Sequence, residues 1–547
     1  MVGVICSSMR IGRACLTALV VWAVADIPAA WASDAVAAAL KYRIQTALRS
    51  ATDGSEPMLV ALGKVYADRD HAPLWYDEDK LTPRAERLIA ALKSIHEDGL
   101  EPEDYDVSVI EKLITSETAI DRAQADFLMS RALIMAGADM SSGRVNANAI
   151  AKDMSPVQRR PDYTMLARDG LVAADPGAFI QSLAPAGRQY PALKRALAEW
   201  RERAKTETYT KVPRGGLLRA GKCDERVPFI RKRLAETEPD VPAATGDPNC
   251  YDEALVEAVK RFQEAHNLTV DGVVGPKLTA SLNISIEEKV QQIIVNMERR
   301  RWAPETHGER YLWINAADYS VVFVDEGQVA WRSKVIVGTP KDQTPEISST
   351  MLTFQTNPYW TVPSSIAGEE YLPLLRKDPL ALQKSNMRIF ADWSSDTELD
   401  PATIDWTSVN PKAFPFRIRQ EPGAGNALGY IFFPFSNKYG IYLHDTSSRF
   451  LFTQGSRNFS HGCIRLQNPF DFIERAMKGS DVGRAVVEAT ANSGRQATFR
   501  FPAPIQIHVT YQTVFVDESG TVQFRDDIYG RDRLVFAALR RTRTRMR

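Results

Sequence analysis

Between Ile441 and Leu466 the chain sets out the parts of a thiol chemistry. His444 closes the apolar stretch Ile441-Tyr442-Leu443, Asp445 and Thr446 follow, and after a loop comes Ser460-His461-Gly462-Cys463-Ile464-Arg465-Leu466. A thiolate nucleophile needs a nearby base, a positive local field and room for a carbonyl to approach. His444 offers the base, Arg465 the charge and Gly462 the room. The backbone amides of Gly462 and Cys463 are expected to face a developing oxyanion, since glycine admits close approach. These residues read as a cysteine acyl-transfer site. Two other readings compete with it. A lone cysteine is often a small buried hydrophobe, and cysteine with histidine also binds zinc. His444, His461 and Cys463 supply three ligands, whereas a structural zinc site closes on four.

The order His444-Asp445-Thr446, loop, Ser460-His461-Gly462-Cys463-Ile464-Arg465 resembles the signature of the L,D-transpeptidases, cysteine enzymes that remodel bacterial peptidoglycan. Asn357-Pro358-Tyr359-Trp360-Thr361-Val362-Pro363 and Asn426-Ala427-Leu428-Gly429 continue the match upstream. The resemblance implies Cys463 as nucleophile and His444 as base, oriented by a main-chain carbonyl that falls at Asp445. The Asp445 carboxylate is a rival for that role. Tyr442 lies two residues from His444, so on a strand both face one side, and it is expected to assist. Arg465 suits a substrate carboxylate through bidentate geometry. His461 is expected to hydrogen-bond within the site, and Ser460 to fix the loop. Trp360 and Tyr371 border an insertion, residues 363–415, that caps the site in long family members.

The implied reaction takes a peptidoglycan stem tetrapeptide as donor, releases D-alanine and joins the acyl group to a neighbouring stem as a 3-3 crosslink. Transfer to a protein amine, anchoring outer-membrane proteins to the wall, or to water are the alternatives. A non-enzymatic wall-binding protein fits the His444/Cys463 pair least. The resemblance also implies acylation by carbapenems, with stem peptides and glycan strands as partners. No cofactor and no metal are called for.

These residues must be held by a larger framework. A length of 547 residues argues for several domains. Lys+Arg and Asp+Glu balance at 68 each, which gives no electrostatic case for nucleic acid. Residues 1–32 read as a cleavable export signal: Arg10 and Arg13 precede an apolar run, and Ala30-Trp31-Ala32 offers a small-x-small cleavage site. A periplasmic location follows, or an inner-membrane anchor if the segment is retained. Residues 33–208 read as a helical scaffold, with Thr82-Pro83 opening a helix whose Leu88, Leu92 and Ile95 share a face. Residues 209–284 resemble the three-helix peptidoglycan-binding module, and 285–304 form a linking helix.

From 305 to 530 the period changes to two, predicting strands at Tyr311–Asn315, Tyr319–Val324, Gln328–Val337, Met351–Gln355, Gly429–Phe433 and Tyr439–Leu443. Ile505–Val516 with Thr521–Phe524 reads as a closing hairpin. Residues 531–547 read as a basic tail. The fold class is therefore multidomain α+β with a mostly β catalytic domain. Loss of the signal removes Cys6 and Cys15 and leaves Cys223, Cys250 and Cys463. If Cys463 stays free, Cys223 and Cys250 are the pair for a disulfide, with two reduced thiols as the other reading.

Overall fold

The computed structural model describes residues 29–541, apart from 52–54, 208, 238–239 and 304–306, with side chains from residue 34 onward. The expected export segment lies almost wholly outside these residues.

The scaffold is helical from Ala29 to Thr206. Thr82 caps the helix Pro83–Ser94 by accepting from Ala85 N–H, and Thr118 caps Ala119–Ser142 in the same way. That second helix is buried on nearly every face, which fits its unusually weak amphipathicity. Its Asp126 is buried and accepts from the backbone of Leu74 and Trp75 and from the Tyr66 hydroxyl. The carboxylate thereby pins the incoming Asp70–Trp75 segment to the core.

The linking helix, Ile286–Trp302, opens with a capping box between Ser285 and Glu288. It is more than a connector. Ile293, Val295, Met297 and Trp302 are buried in the scaffold core, and the fully buried Arg301 donates to the Tyr190 hydroxyl and the Asp98 carbonyl. The binding module consists of Val227–Ala235, Glu253–Ala265 and Pro276–Leu282, with Cys223 and Cys250 joined by a disulfide beside the Asp252 cap. It docks against the catalytic domain. Asn267 Nδ2 donates to the Asp318 carbonyl at 3.2 Å, and a side chain at Gly455 would run into the Leu268 backbone.

The catalytic domain is one nine-stranded sheet. In chain order its strands are β1 (Tyr311–Asn315), β2 (Ser320–Asp325), β3 (Gln328–Gly338), β4 (Ile347–Thr356), β5 (Ile431–Phe433), β6 (Leu443–His444), β7 (Asn458–Ser460), β8 (Ile464–Leu466) and β9 (Ala497–Thr510). Their spatial order is β7-β3-β8-β6-β5-β4-β9-β1-β2, and β2 also pairs with β3, so the sheet closes on itself. Leu312, Val337, Phe354, Phe433, Leu443 and Ile464 fill its interior with Phe472 from the helix Pro469–Ala476.

Several boundaries differ from the sequence reading. The strand expected at Tyr439–Leu443 shrinks to β6 because Asn437 binds the preceding loop, donating to the Phe435 and Ile441 carbonyls and accepting from Tyr439 N–H. The sheet strand β9 ends at Thr510. Val514–Val516 and Val522–Phe524 form a separate hairpin that packs on the scaffold core rather than closing the catalytic sheet. The segment assigned to a basic tail begins with a helix, Arg531–Leu539, whose Val535 and Leu539 join the same core. The insertion is wider than 363–415, since Trp360–Thr361 and Arg417–Gln420 belong to its own three-stranded sheet with Met387–Phe390. It has a separate small core around Leu372, Ile389, Trp406 and Ile418.

Candidate active site

β6 and β8 run parallel, with Leu443 opposite Ile464 and His444 opposite Arg465. Leu443 and Ile464 are fully buried in the sheet interior. Alternation then turns Tyr442, His444, Cys463 and Arg465 to the other face together. The pairing sets His444 beside Arg465, and Tyr442 and Cys463 follow as the residues just before each strand.

His444 is buried, and its Nδ1–H donates to the Asp445 carbonyl at 2.5 Å. A carbonyl only accepts, so Nδ1 carries the proton. Burial first, and the Arg465 charge second, push the His444 pKa down to about 3. The imidazole is therefore neutral near pH 7, and Nε2 keeps a free lone pair. The Asp445 carboxylate points elsewhere: it accepts from Tyr430 N–H and from Arg449 Nη2, both at 3.0 Å. Of the two orienting groups open to the sequence reading, the structure puts the carbonyl on the ring. Gly429 makes this possible, because a Cβ there would lie 2.4 Å from Asp445 Oδ2 and its φ is +60°.

The Cys463 thiol is the one free cysteine among the described residues. Burial raises its pKa; the Tyr442 backbone N–H and hydroxyl, directed at the sulfur, and the Arg465 charge oppose that rise. Trp360 lies beside the Tyr442 hydroxyl and opposes the rise that burial gives that hydroxyl's pKa, and the Trp360 ring meets Tyr371 edge-on at 6.3 Å. Arg465 lies in β8 with its Nε buried and without a hydrogen-bond partner among the described residues.

The loop before the cysteine holds itself. Ser460 Oγ donates to the Cys463 carbonyl at 2.5 Å and accepts from Gly462 N–H at 3.2 Å. This corrects one expectation: the Gly462 amide is turned into the loop, which leaves the Cys463 amide, with no acceptor among the described residues, as the backbone donor facing outward. Gly462 has φ +102°, a conformation that favours glycine. A second correction concerns His461. Its exposed ring meets Glu370 Oε1 at 2.8 Å, so it reaches the insertion and not the sulfur. Lys341 and Glu369 make a parallel contact at 2.5 Å.

Thr344, Tyr529 and Arg531, which brace this loop from behind, were not foreseen. No spacing or motif marks them; Thr344 is brought in by the β3–β4 turn, Tyr529 by the segment before the last helix and Arg531 by that helix's first residue.

The comparisons with known proteins agree with this layout. Residues 60–197 match the scaffold domain model, 224–282 the "Putative peptidoglycan binding domain" model, and 309–487 the YkuD model, described as the L,D-transpeptidase catalytic domain. A curated "Putative L,D-transpeptidase" of Haemophilus influenzae is 31% identical over 247 residues, 45% of this chain and 49% of that protein. The aligned part thus spans about half the length of that relative. Among solved structures, an L,D-transpeptidase from Xylanimonas cellulosilytica is 14% identical, covering 54% of this chain and 98% of its own, with a TM-score of 0.16. The Ldtfm–avibactam carbamoyl enzyme is 11% identical, covering 58% and 98%, with a TM-score of 0.18. Scores that low carry neither fold nor function. With a scaffold domain, a peptidoglycan-binding domain and a YkuD-type catalytic domain in that order, the chain has the make-up of a long-form L,D-transpeptidase.

Proposed function

We propose that this protein forms 3-3 crosslinks in peptidoglycan through a thioester on Cys463. The observation that carries the reading is the setting of His444: Nδ1–H is fixed on the Asp445 carbonyl and Nε2 has no partner among the described residues, on the strand paired with the one that Cys463 leads into. That tautomer leaves Nε2 as the proton acceptor, which is the geometric requirement on a general base. Nε2 takes the Cys463 proton as the sulfur attacks the carbonyl of the third, diamino acid residue of a tetrapeptide stem. The oxyanion forms on the Cys463 amide, with the Tyr442 hydroxyl beside it. When the C–N bond breaks, His444 returns the proton to the leaving amine, and D-alanine departs. An amine of a second stem gives its proton to His444, attacks the thioester carbonyl and frees the thiol. Arg465, its guanidinium without a carboxylate partner among the described residues, receives a substrate carboxylate. The binding module holds the glycan strand, and the N-terminal segment directs the protein to the periplasm.

The test is mass spectrometry of the protein with purified tetrapeptide and carbapenem donors, followed by product analysis. Wild type should gain a covalent adduct on the Cys463 peptide and yield 3-3 dimers. Cys463→Ala should gain none, and His444→Ala should acylate far more slowly. An undiminished adduct in Cys463→Ala refutes the mechanism. Tripeptide as the sole product reassigns the acceptor to water, and crosslinking only to protein amines reassigns it to an anchoring reaction.

A further inference from the structure

The Gly462 carbonyl and the Cys463 N–H belong to one peptide unit. That unit is planar and trans, so the two bonds point in opposite directions, and whatever fixes the oxygen aims the N–H. Glycine at 462 makes the question pressing, because its freedom lets this peptide rotate at little cost. In the structure the Gly462 oxygen accepts from Thr344 Oγ1 at 2.8 Å. Thr344 is fully buried, and the same hydroxyl oxygen accepts from Gly338 N–H at 2.8 Å.

Thr344 is itself held on both sides. Its N–H donates to the Tyr529 hydroxyl at 3.3 Å, and that hydroxyl donates to the Gly338 carbonyl at 2.8 Å. Its carbonyl accepts from Arg531 Nη2 at 3.1 Å. Arg531 is 1% exposed and also donates to Gln343 Oε1, Glu346 Oε1 and Asp153 Oδ2. Asp153 belongs to the scaffold, so one chain of hydrogen bonds runs from the helical domain to the peptide carrying the Cys463 amide.

We propose that Thr344 is a positioning residue for acyl transfer: it aims the Cys463 N–H at the oxyanion, and Arg531 and Asp153 anchor it to the scaffold. The hydrogen bond at the Gly462 oxygen also polarises the peptide and strengthens its N–H as a donor. This rests on the reading of Cys463 as the acylated residue. It assigns a task to a side chain that touches no substrate.

Thr344→Val keeps the shape and removes the hydroxyl, and Thr344→Ser restores it. Three readouts separate positioning from simple support: kcat and KM with tetrapeptide, the rate of carbapenem acylation, and alkylation of Cys463 by iodoacetamide, a displacement that develops no oxyanion. A misaimed oxyanion donor should cost about 10- to 100-fold in kcat and in carbapenem acylation, with KM and alkylation within about twofold. Thr344→Ser should recover to within about threefold of wild type on the same scale. Should Thr344→Val fail to fold, Thr344→Ala carries the same comparison. Alkylation falling in step with acylation, or acylation unchanged in the variant, overturns the proposal. If wild type takes the carbapenem and no tetrapeptide, the donor assignment falls, and the carbapenem arm alone decides for or against Thr344.

Discussion

Replacing Asp445 by asparagine separates the two ways in which a residue after the base can hold it. Were the carboxylate the orienting group, the substitution would resemble the loss of a triad aspartate and cost on the order of 10⁴-fold in kcat. Here the ring is held by the Asp445 carbonyl, which asparagine keeps. The carboxylate accepts from Tyr430 N–H and faces Arg449, whose side chain is 52% exposed. Only the Arg449 end of the pair is open, the Asp445 side chain being 1% exposed, and a pair half in solvent is worth about 1 kcal/mol. The asparagine oxygen still serves Tyr430, while its NH₂ opposes the Arg449 donor, at a further cost of about 1 kcal/mol. The sum is a stability loss of about 1–2 kcal/mol. The fall in kcat/KM should stay under about tenfold, since the imidazole keeps its tautomer. Urea denaturation and tetrapeptide turnover, measured on one preparation, give both numbers. A loss of about 10³-fold or more in turnover with an intact melt would show that the carboxylate orients the ring after all.

Gly429→Ala should be worse for stability, because φ is +60° and the new Cβ would lie 2.4 Å from Asp445 Oδ2; about 2–4 kcal/mol is expected, and an unchanged urea midpoint would refute the steric argument. His266, stacked on Phe262 at 4.0 Å, and His444 both have pKa values pushed down to about 3, mainly by burial. Their unfolded values sit near 6.5, so the unfolded chain binds more protons below that point. Stability is full above about pH 6.5 and lost as pH falls toward 3, and equal urea midpoints at pH 7 and pH 4.5 would contradict this. The Cys463 thiol is raised by burial, so its alkylation rate should still be climbing above about pH 10, where an ordinary thiol of pKa about 8.5 has levelled off. Cys223 and Cys250, 27 residues apart in sequence, should together contribute about 3 kcal/mol to the module through loop closure; a Cys223→Ser/Cys250→Ser protein melting like wild type would remove that contribution.

Much of the framework could be read from local pattern. Strand β1 falls where period-two alternation put it, and Thr82 opens its helix as read, accepting from the amide three residues on. What failed had local causes that periodicity cannot register. Asn437 diverts the backbone before β6 through its side chain, and an apolar alternation there is silent about that competition. In β9, Pro502 and Pro504 sit at a register shift between Arg500 and Ile505, so the first half of a 14-residue strand reads as a break. In the candidate site, His444, Cys463 and Ser460 carried recognisable chemistry. The direction of the Gly462 amide and the reach of His461 to Glu370 depend on loop geometry and on a distant insertion. The bracing by Thr344 and Arg531 spans nearly 190 residues of sequence and leaves no trace in either segment alone.

The scaffold core contains Val36, Leu40 and Ile44 from one end of the chain and Val535 and Leu539 from the other. Those groups are roughly 500 residues apart, and at about 5–20 residues per second a ribosome makes them on the order of half a minute to two minutes apart. The first domain to be synthesised therefore waits for the last residues before its apolar surface is covered. During that interval the nascent helices are open to aggregation and are natural clients of holding chaperones. A stop codon placed just before Arg531 would leave every catalytic residue in place and yet strike the N-terminal domain, by uncovering the face that the final helix seals.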